Sequence, residues 1–82
     1  MDRELDANLS DMLDAIAKRI ADVYHMSDTV AYDYMRGLAF YEILTEEASP
    51  YRGDAAEVNF ERMQNEIEYG SWNRGAAVEK PN

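Results

Sequence analysis

The first long segment of the chain, residues 5–24, carries its apolar side chains at spacings of three and four residues. This spacing places them along one stripe of an α-helix, which turns once every ~3.6 residues. The stripe consists of Leu5, Leu9, Met12, Leu13, Ile16, Ile20, Val23 and Tyr24. The opposite stripe consists of Glu4, Asp11, Asp14, Lys18 and Asp22. The pattern predicts an amphipathic first helix, from about residue 2 or 5 to about residue 25, with an apolar face to bury.

A second helix is predicted from about residue 29 to about residue 47. Ser27 or Asp28 can cap its N-terminus, and Pro50 ends it because a residue before proline is disfavoured in the α region. Its apolar residues are Val30, Ala31, Tyr32, Tyr34, Met35, Leu38, Ala39, Phe40, Tyr41, Ile43 and Leu44. They cover most of the circumference, which is typical of a helix buried on several sides. We therefore expect this helix to be the central element, with Gly37 at a close helix crossing.

A loop over residues 50–53 separates the second helix from a third, which is predicted to begin with a capping box formed by Asp54 and Glu57. The apolar stripe of the third helix consists of Ala56, Phe60, Met63 and Ile67. A second stripe consists of Glu57, Glu61, Gln64 and Glu68, with no lysine or arginine among them. Gly70 suits the left-handed position that follows a helix. We expect a helical domain over residues 1–70 and a mobile tail over residues 71–82, with Trp72 folded back onto the core.

The three periodic segments predict an all-α fold. With 82 residues, of which 46% are hydrophobic, the chain is long enough for one domain with one core. We expect a small bundle of three main helices, with a four-helix bundle as the alternative, built around a buried second helix. Three short helices leave apolar surface on the second helix uncovered, which favours association with a partner or as a homodimer.

The chain is strongly acidic, with 17 aspartates and glutamates against 8 lysines and arginines and a formal net charge of −9. Uniform acidity opposes direct binding to nucleic acid and to anionic lipid, and it favours a basic partner protein. Solubility of a small protein is the competing explanation for the charge. A helix-turn-helix interpretation of residues 12–44 is disfavoured for the same reason, because a DNA-reading helix needs cations and this one offers only Arg36.

No catalytic residue, cofactor or metal ion is predicted. The chain has no cysteine, which excludes thiolate metal sites and cysteine nucleophiles. Its single histidine, His25, suits the C-terminal dipole of the first helix, and the carboxylates at residues 2–6 and 42–47 lack the pattern of a calcium loop. No apolar run reaches the ~18 residues of a membrane span. The acidic N-terminus is unlike a signal peptide, so we expect a cytoplasmic protein that is not an enzyme and does not bind membranes.

Aromatic residues are frequent, with six tyrosines and one tryptophan. These two residue types dominate the hot spots of protein interfaces, because they bury a large area and keep a polar tip. We expect Tyr34 and Tyr41 to belong to the core, and Tyr51, Tyr69 and Trp72 to face a partner. The predicted partner-binding set is completed by Glu57, Glu61 and Glu68.

A short motif at the start of the second helix consists of Ala31, Tyr32, Tyr34 and Met35. Around it, residues 12–69 resemble a family of small acidic helical bacterial proteins of unknown function, which share an amphipathic helix, a turn, this motif and acidic helices. The chain departs from the family at residues 49–53, where a Tyr-Asp-x-Leu-His segment is missing. Family members are often encoded beside predicted toxins, so the resemblance implies an antitoxin-like role.

These observations favour an acidic protein-binding module of the antitoxin, immunity or inhibitor type, which neutralises a basic partner by charge complementarity and aromatic anchors. A different class of function remains open, a nucleic-acid mimic that blocks a DNA- or RNA-binding defence protein. A structural homodimer with no inhibitory role is the third possible function.

Overall fold

The computed structural model describes residues 7–73, and this range contains four α-helices and one short 3-10 helix. The α-helices are α1 (Ala7–Tyr24), α2 (Asp28–Arg36), α3 (Ala39–Thr45) and α4 (Ala56–Tyr69), and the 3-10 helix is Pro50–Gly53. No strand occurs between residues 7 and 73, so the predicted all-α class is confirmed there. None of the helices in this range is both long and apolar enough to cross a membrane.

The apolar stripe of α1 forms the largest part of the core. Its buried residues are Leu9, Leu13, Ile16, Ala17, Ile20 and Ala21. The stripe ends earlier than predicted, because Val23 is 39% exposed and Tyr24 is only half-buried. The predicted start of the helix, with Leu5 and Glu4, lies outside the described residues. Helix α1 packs against both α2 and α4 and thereby connects these two helices.

The predicted second helix is two helices. α2 ends at Arg36, and Leu38 adopts an extended conformation with φ −80° and ψ 147° before α3 begins. This change of direction lets each helix bury its own pair of side chains in the core. The pairs are Ala31 and Met35 on α2, and Phe40 and Leu44 on α3. The prediction of a single central second helix is therefore wrong, because residues 28–45 form two shorter helices.

Gly37 does not lie at a helix crossing as predicted. A Cβ added there would meet only the carbonyl oxygen of Tyr34, at 3.5 Å, among the residues that the structure describes. Gly37 instead caps the C-terminus of α2, with φ −88°, and its N–H donates to the Tyr34 carbonyl at 3.1 Å. The glycine marks the break between the two helices.

The predicted helix ends are confirmed at two positions and wrong at a third. The Ser27 side chain caps α2 by accepting a hydrogen bond from the Val30 N–H at 3.2 Å. Gly70 follows α4 in the left-handed conformation, with φ 82°. The capping box at Asp54 does not form, because Ala55 occupies the N-cap position without a side-chain hydrogen bond. The Asp54 carboxylate pairs instead with Arg62, at 2.7 Å.

Candidate functional site

The predicted acidic stripe of the third helix lies on α4, along the edge that faces α1. We call it the acidic seam, and it comprises Glu57, Glu61, Gln64 and Glu68. Its three glutamates are exposed. Two residues of α1 contact it, so the seam follows the junction of the two longest helices in the described range.

A cation from α1 balances one end of the seam. The Arg19 guanidinium donates to Glu57 Oε2 at 2.8 Å, and both side chains are about half exposed, at 48% and 56%. Arg19 also lies over the Phe60 ring, 4.9 Å from its centroid, which orients the guanidinium. An exposed pair of this kind contributes at most ~1 kcal/mol to stability. The spacing of charges within α4 alone could not reveal this partner, because it belongs to another helix.

A phenol from α1 holds the other end of the seam. The Tyr24 hydroxyl donates to Glu68 Oε2 at 2.6 Å. Burial raises the pKa of Tyr24 above 10.0, and the hydrogen bond to Glu68 raises it further. Because the folded pKa is the higher one, this contribution to stability is complete below pH 10.0 and is lost as the pH rises through the folded pKa. The phenol therefore stays protonated and keeps Glu68 in place at neutral pH.

The middle of the seam carries a carboxylate that faces solvent. Glu61 is exposed and has no ion-pair partner within residues 7–73. Val23, on the turn of α1 between Arg19 and Tyr24, is 39% exposed. Tyr34 of α2 is 41% exposed. Exposed apolar surface of Val23 therefore lies beside the carboxylates of the seam. The prediction that Tyr34 belongs to the core is wrong.

The three predicted aromatic anchors do not share one surface. Tyr51 and Trp72 are half-buried and pack on the fully buried ring of Phe40, on the side of α3 and the 3-10 helix. Trp72 is thus folded back onto the core as predicted. Tyr69 is 57% exposed and stands next to Glu68 in the chain. The structure therefore does not bring Tyr51 and Trp72 together with the glutamates of the seam.

A buried polar residue beside the aromatic rings was not predicted. Asn59 is fully buried, and its amide group donates to the Tyr51 carbonyl at 3.0 Å and to the Met12 sulfur at 3.2 Å. Arg62 donates to the Asn59 side-chain oxygen at 2.7 Å. Position 59 falls on the buried face of α4, next to Phe60. The sequence signal for this buried residue is therefore an asparagine at a position that the helical period assigns to the buried face of α4.

An open cleft of about 550 Å³ lies beside the Glu57 end of the seam. Its lining contains Ala15, Lys18, Arg19, Asp22, Asp28, Ala56 and Glu57. Two cations and three carboxylates share this space, so the cleft can accept charged side chains of either sign. Among residues 7–73, no group of three or more histidine, aspartate or glutamate side chains is placed to hold a metal ion.

Comparisons with known proteins identify no relative of this chain: no family model, no curated protein and no solved structure matches it.

Proposed function

We propose that the protein is an acidic protein-binding module of the antitoxin, immunity or inhibitor type, which uses the acidic seam to neutralise a basic partner protein. The observation that carries this proposal is the way in which the fold distributes its charges. The resemblance at the Ala31–Met35 motif points to the same class of function.

Two of the five lysine and arginine side chains within residues 7–73, those of Arg52 and Arg62, are partly buried and bind other groups of the same chain. The Arg52 guanidinium donates to three backbone carbonyls at the end of α3, at 2.8 to 3.2 Å. Arg62 pairs with Asp54 at 2.7 Å and lies over the Tyr51 ring, 4.7 Å from its centroid. The exposed cations of this range are Lys18, Arg19 and Arg36, against eleven exposed carboxylates between residues 7 and 73. Such a surface attracts a basic partner and accelerates its association.

The seam offers this partner an ordered arrangement. From Glu57 to Glu68 it spans about 16 Å, at ~1.5 Å per residue. Arg19 and Tyr24 fix the carboxylates at its two ends, so these side chains lose less conformational entropy when a partner binds. Exposed Val23 supplies apolar area within the same surface. A basic side chain that approaches Glu61 gains a partner without breaking an existing ion pair.

The test compares two variants with the same change in net charge. One replaces the seam glutamates, Glu57→Gln, Glu61→Gln and Glu68→Gln. The control replaces three exposed glutamates in α3 and directly after it, Glu42→Gln, Glu46→Gln and Glu47→Gln. Both variants and the parent are used as bait in the native host, and captured proteins are identified by mass spectrometry.

We expect the parent and the control to capture the same basic protein and the seam variant to lose it. With the purified partner, the seam variant should associate about tenfold more slowly at low salt, because charge complementarity acts mainly on the association rate. Equal association of both variants would show that net charge alone matters and that the seam is only a solvated surface.

Two other functions predicted from the sequence give different results in the same experiment. For a nucleic-acid mimic, the captured partner is a DNA- or RNA-binding protein and excess nucleic acid displaces the bait. For a structural homodimer, the protein sediments as a dimer and captures no second protein. The exposed apolar residues Val23, Val30 and Tyr34 would then lie in the dimer interface.

A further inference from the structure

Helix α3 is too short to be stable through its own backbone. It contains seven residues, and isolated helices shorter than ~12 residues are marginal even in favourable sequences. Its N-cap residue is Leu38, which provides no side-chain hydrogen bond. The stability of α3 must therefore come from contacts with other parts of the chain.

Both ends of α3 are held by side chains from later elements. At its N-terminus, the Glu66 carboxylate of α4 accepts hydrogen bonds from the Ala39 N–H at 2.6 Å and the Phe40 N–H at 2.9 Å. At its C-terminus, Arg52 of the 3-10 helix donates to the carbonyls of Leu44 and Thr45 at 3.2 and 2.8 Å. These contacts satisfy backbone groups that a helix leaves unpaired at its ends, and each charge has the sign that the helix dipole favours.

Phe40, one of the two side chains of α3 in the core, is enclosed by two further rings. The centroid of Phe40 lies 5.4 Å from that of Tyr51 and 5.0 Å from that of Trp72, and Tyr51 and Trp72 are 5.5 Å apart. We call these three residues the aromatic clasp. Ring pairs in such arrangements contribute ~0.5–1.5 kcal/mol beyond the area they bury. The clasp thus joins α3, the 3-10 helix and the segment after α4.

Trp72 is the member of the clasp that lies outside any helix. It lies two residues beyond Gly70, where α4 has ended in the left-handed conformation, and residues 71–73 form no regular structure. Its ring is half-buried, whereas Phe40 is fully buried. Its contacts with Phe40 and Tyr51 can therefore be released without unwinding α4.

We propose that α3, the 3-10 helix and Trp72 form a unit that opens together while α1, α2 and α4 stay folded, and that Trp72 is its latch. Opening uncovers Phe40 and Leu44, which are fully buried in the closed form. Local unfolding of this kind occurs in cooperative units whose opening requires less free energy than global unfolding. This local opening is a property of the folded chain itself, and it does not require the proposed partner protein.

The parent protein provides the first test, because Trp72 is the only tryptophan. In a urea titration, we expect the emission of Trp72 to change at a lower concentration than the circular dichroism signal at 222 nm. In hydrogen exchange without urea, amides of Ile43 to Thr45 should exchange at least about tenfold faster than those around Ile16. Coincident transitions, or equal protection of both segments, would overturn the proposal.

The second test compares Trp72→Ala with Tyr34→Ala, which removes an exposed aromatic ring outside the clasp. We expect Trp72→Ala to accelerate exchange in α3 by a further factor of about ten while the core of α1 changes less than about twofold. Tyr34→Ala should leave α3 unchanged. Equal acceleration in all helices, complete unfolding of Trp72→Ala, or no acceleration in α3 would each contradict a latch that acts on this unit alone.

Discussion

At the level of single residues, the polar side chains beside the clasp are hydrogen-bonded to one another. Asn59, Arg62 and Asp54 form one connected set of hydrogen bonds at 2.7 Å beside the clasp. No buried side-chain nitrogen or oxygen atom among the described residues lacks a partner. Buried networks that are fully satisfied favour one arrangement of the core, because each broken bond leaves an unpaired polar group.

Replacing Asn59 by leucine keeps the number of side-chain heavy atoms and removes the donor to the Tyr51 carbonyl. We expect a loss of about 1–3 kcal/mol in the free energy of unfolding, because the carbonyl and Arg62 both lose a hydrogen bond in a buried site. Urea denaturation followed by circular dichroism measures the change. The control, Asn8→Leu at an exposed position of α1, should stay within about 0.5 kcal/mol of the parent. An Asn59→Leu variant as stable as the parent would show that this network contributes nothing.

At the level of elements, periodicity predicts the helices whose apolar residues form one stripe. It predicts α1 and α4, and Ser27 and Gly70 correctly mark the start of α2 and the end of α4. It fails between α2 and α3, because apolar residues on nearly all sides fit one buried helix or two helices at an angle. The capping box fails because Ala55 rather than Asp54 is the N-cap of α4, and the Asp54 carboxylate pairs with Arg62, eight residues away. Whether such a pair forms depends on side-chain geometry that a spacing rule does not contain.

The interaction that holds the N-terminus of α3 can be tested by Glu66→Ala. We expect a loss of about 1 kcal/mol in the free energy of unfolding, similar to the loss of an N-cap, because two backbone N–H groups lose their acceptor. Thermal denaturation measures it. Glu61→Ala is the matched control, since Glu61 is an exposed glutamate on the same helix. Equal stability of the two variants would mean that solvent replaces Glu66 at no cost.

At the level of the whole molecule, the acidic seam shows how far a sequence predicts a surface. The i, i+4 spacing of Glu57 and Glu61 places them on one stripe of any helix. The pairing with Arg19 depends on how α1 and α4 pack, and the inward direction of Arg52 and Arg62 depends on the position of α3. Net charge is a property of the sequence, whereas the distribution of the charge is a property of the fold.

The same distribution predicts that the protein does not bind duplex DNA at physiological salt. Among the described residues, only Lys18, Arg19 and Arg36 are exposed cations, and DNA binding requires a cluster of them to replace counterions. Fluorescence anisotropy with a labelled duplex should show no change up to high protein concentration. Saturable binding that weakens as salt is added would contradict the prediction and restore the helix-turn-helix interpretation.

The contacts at the ends of α3 also determine the order in which the chain can fold during its synthesis. α1 and α2 follow each other directly and pack together, so they can associate as soon as both have left the ribosome. The N-terminal bonds of α3 need Glu66, which follows Ala39 by 27 positions, and the clasp needs Trp72. A helix of seven residues that lacks these partners is unstable. We therefore expect α3 to form only after Glu66 and Trp72 have been synthesised, as the last of the four described α-helices.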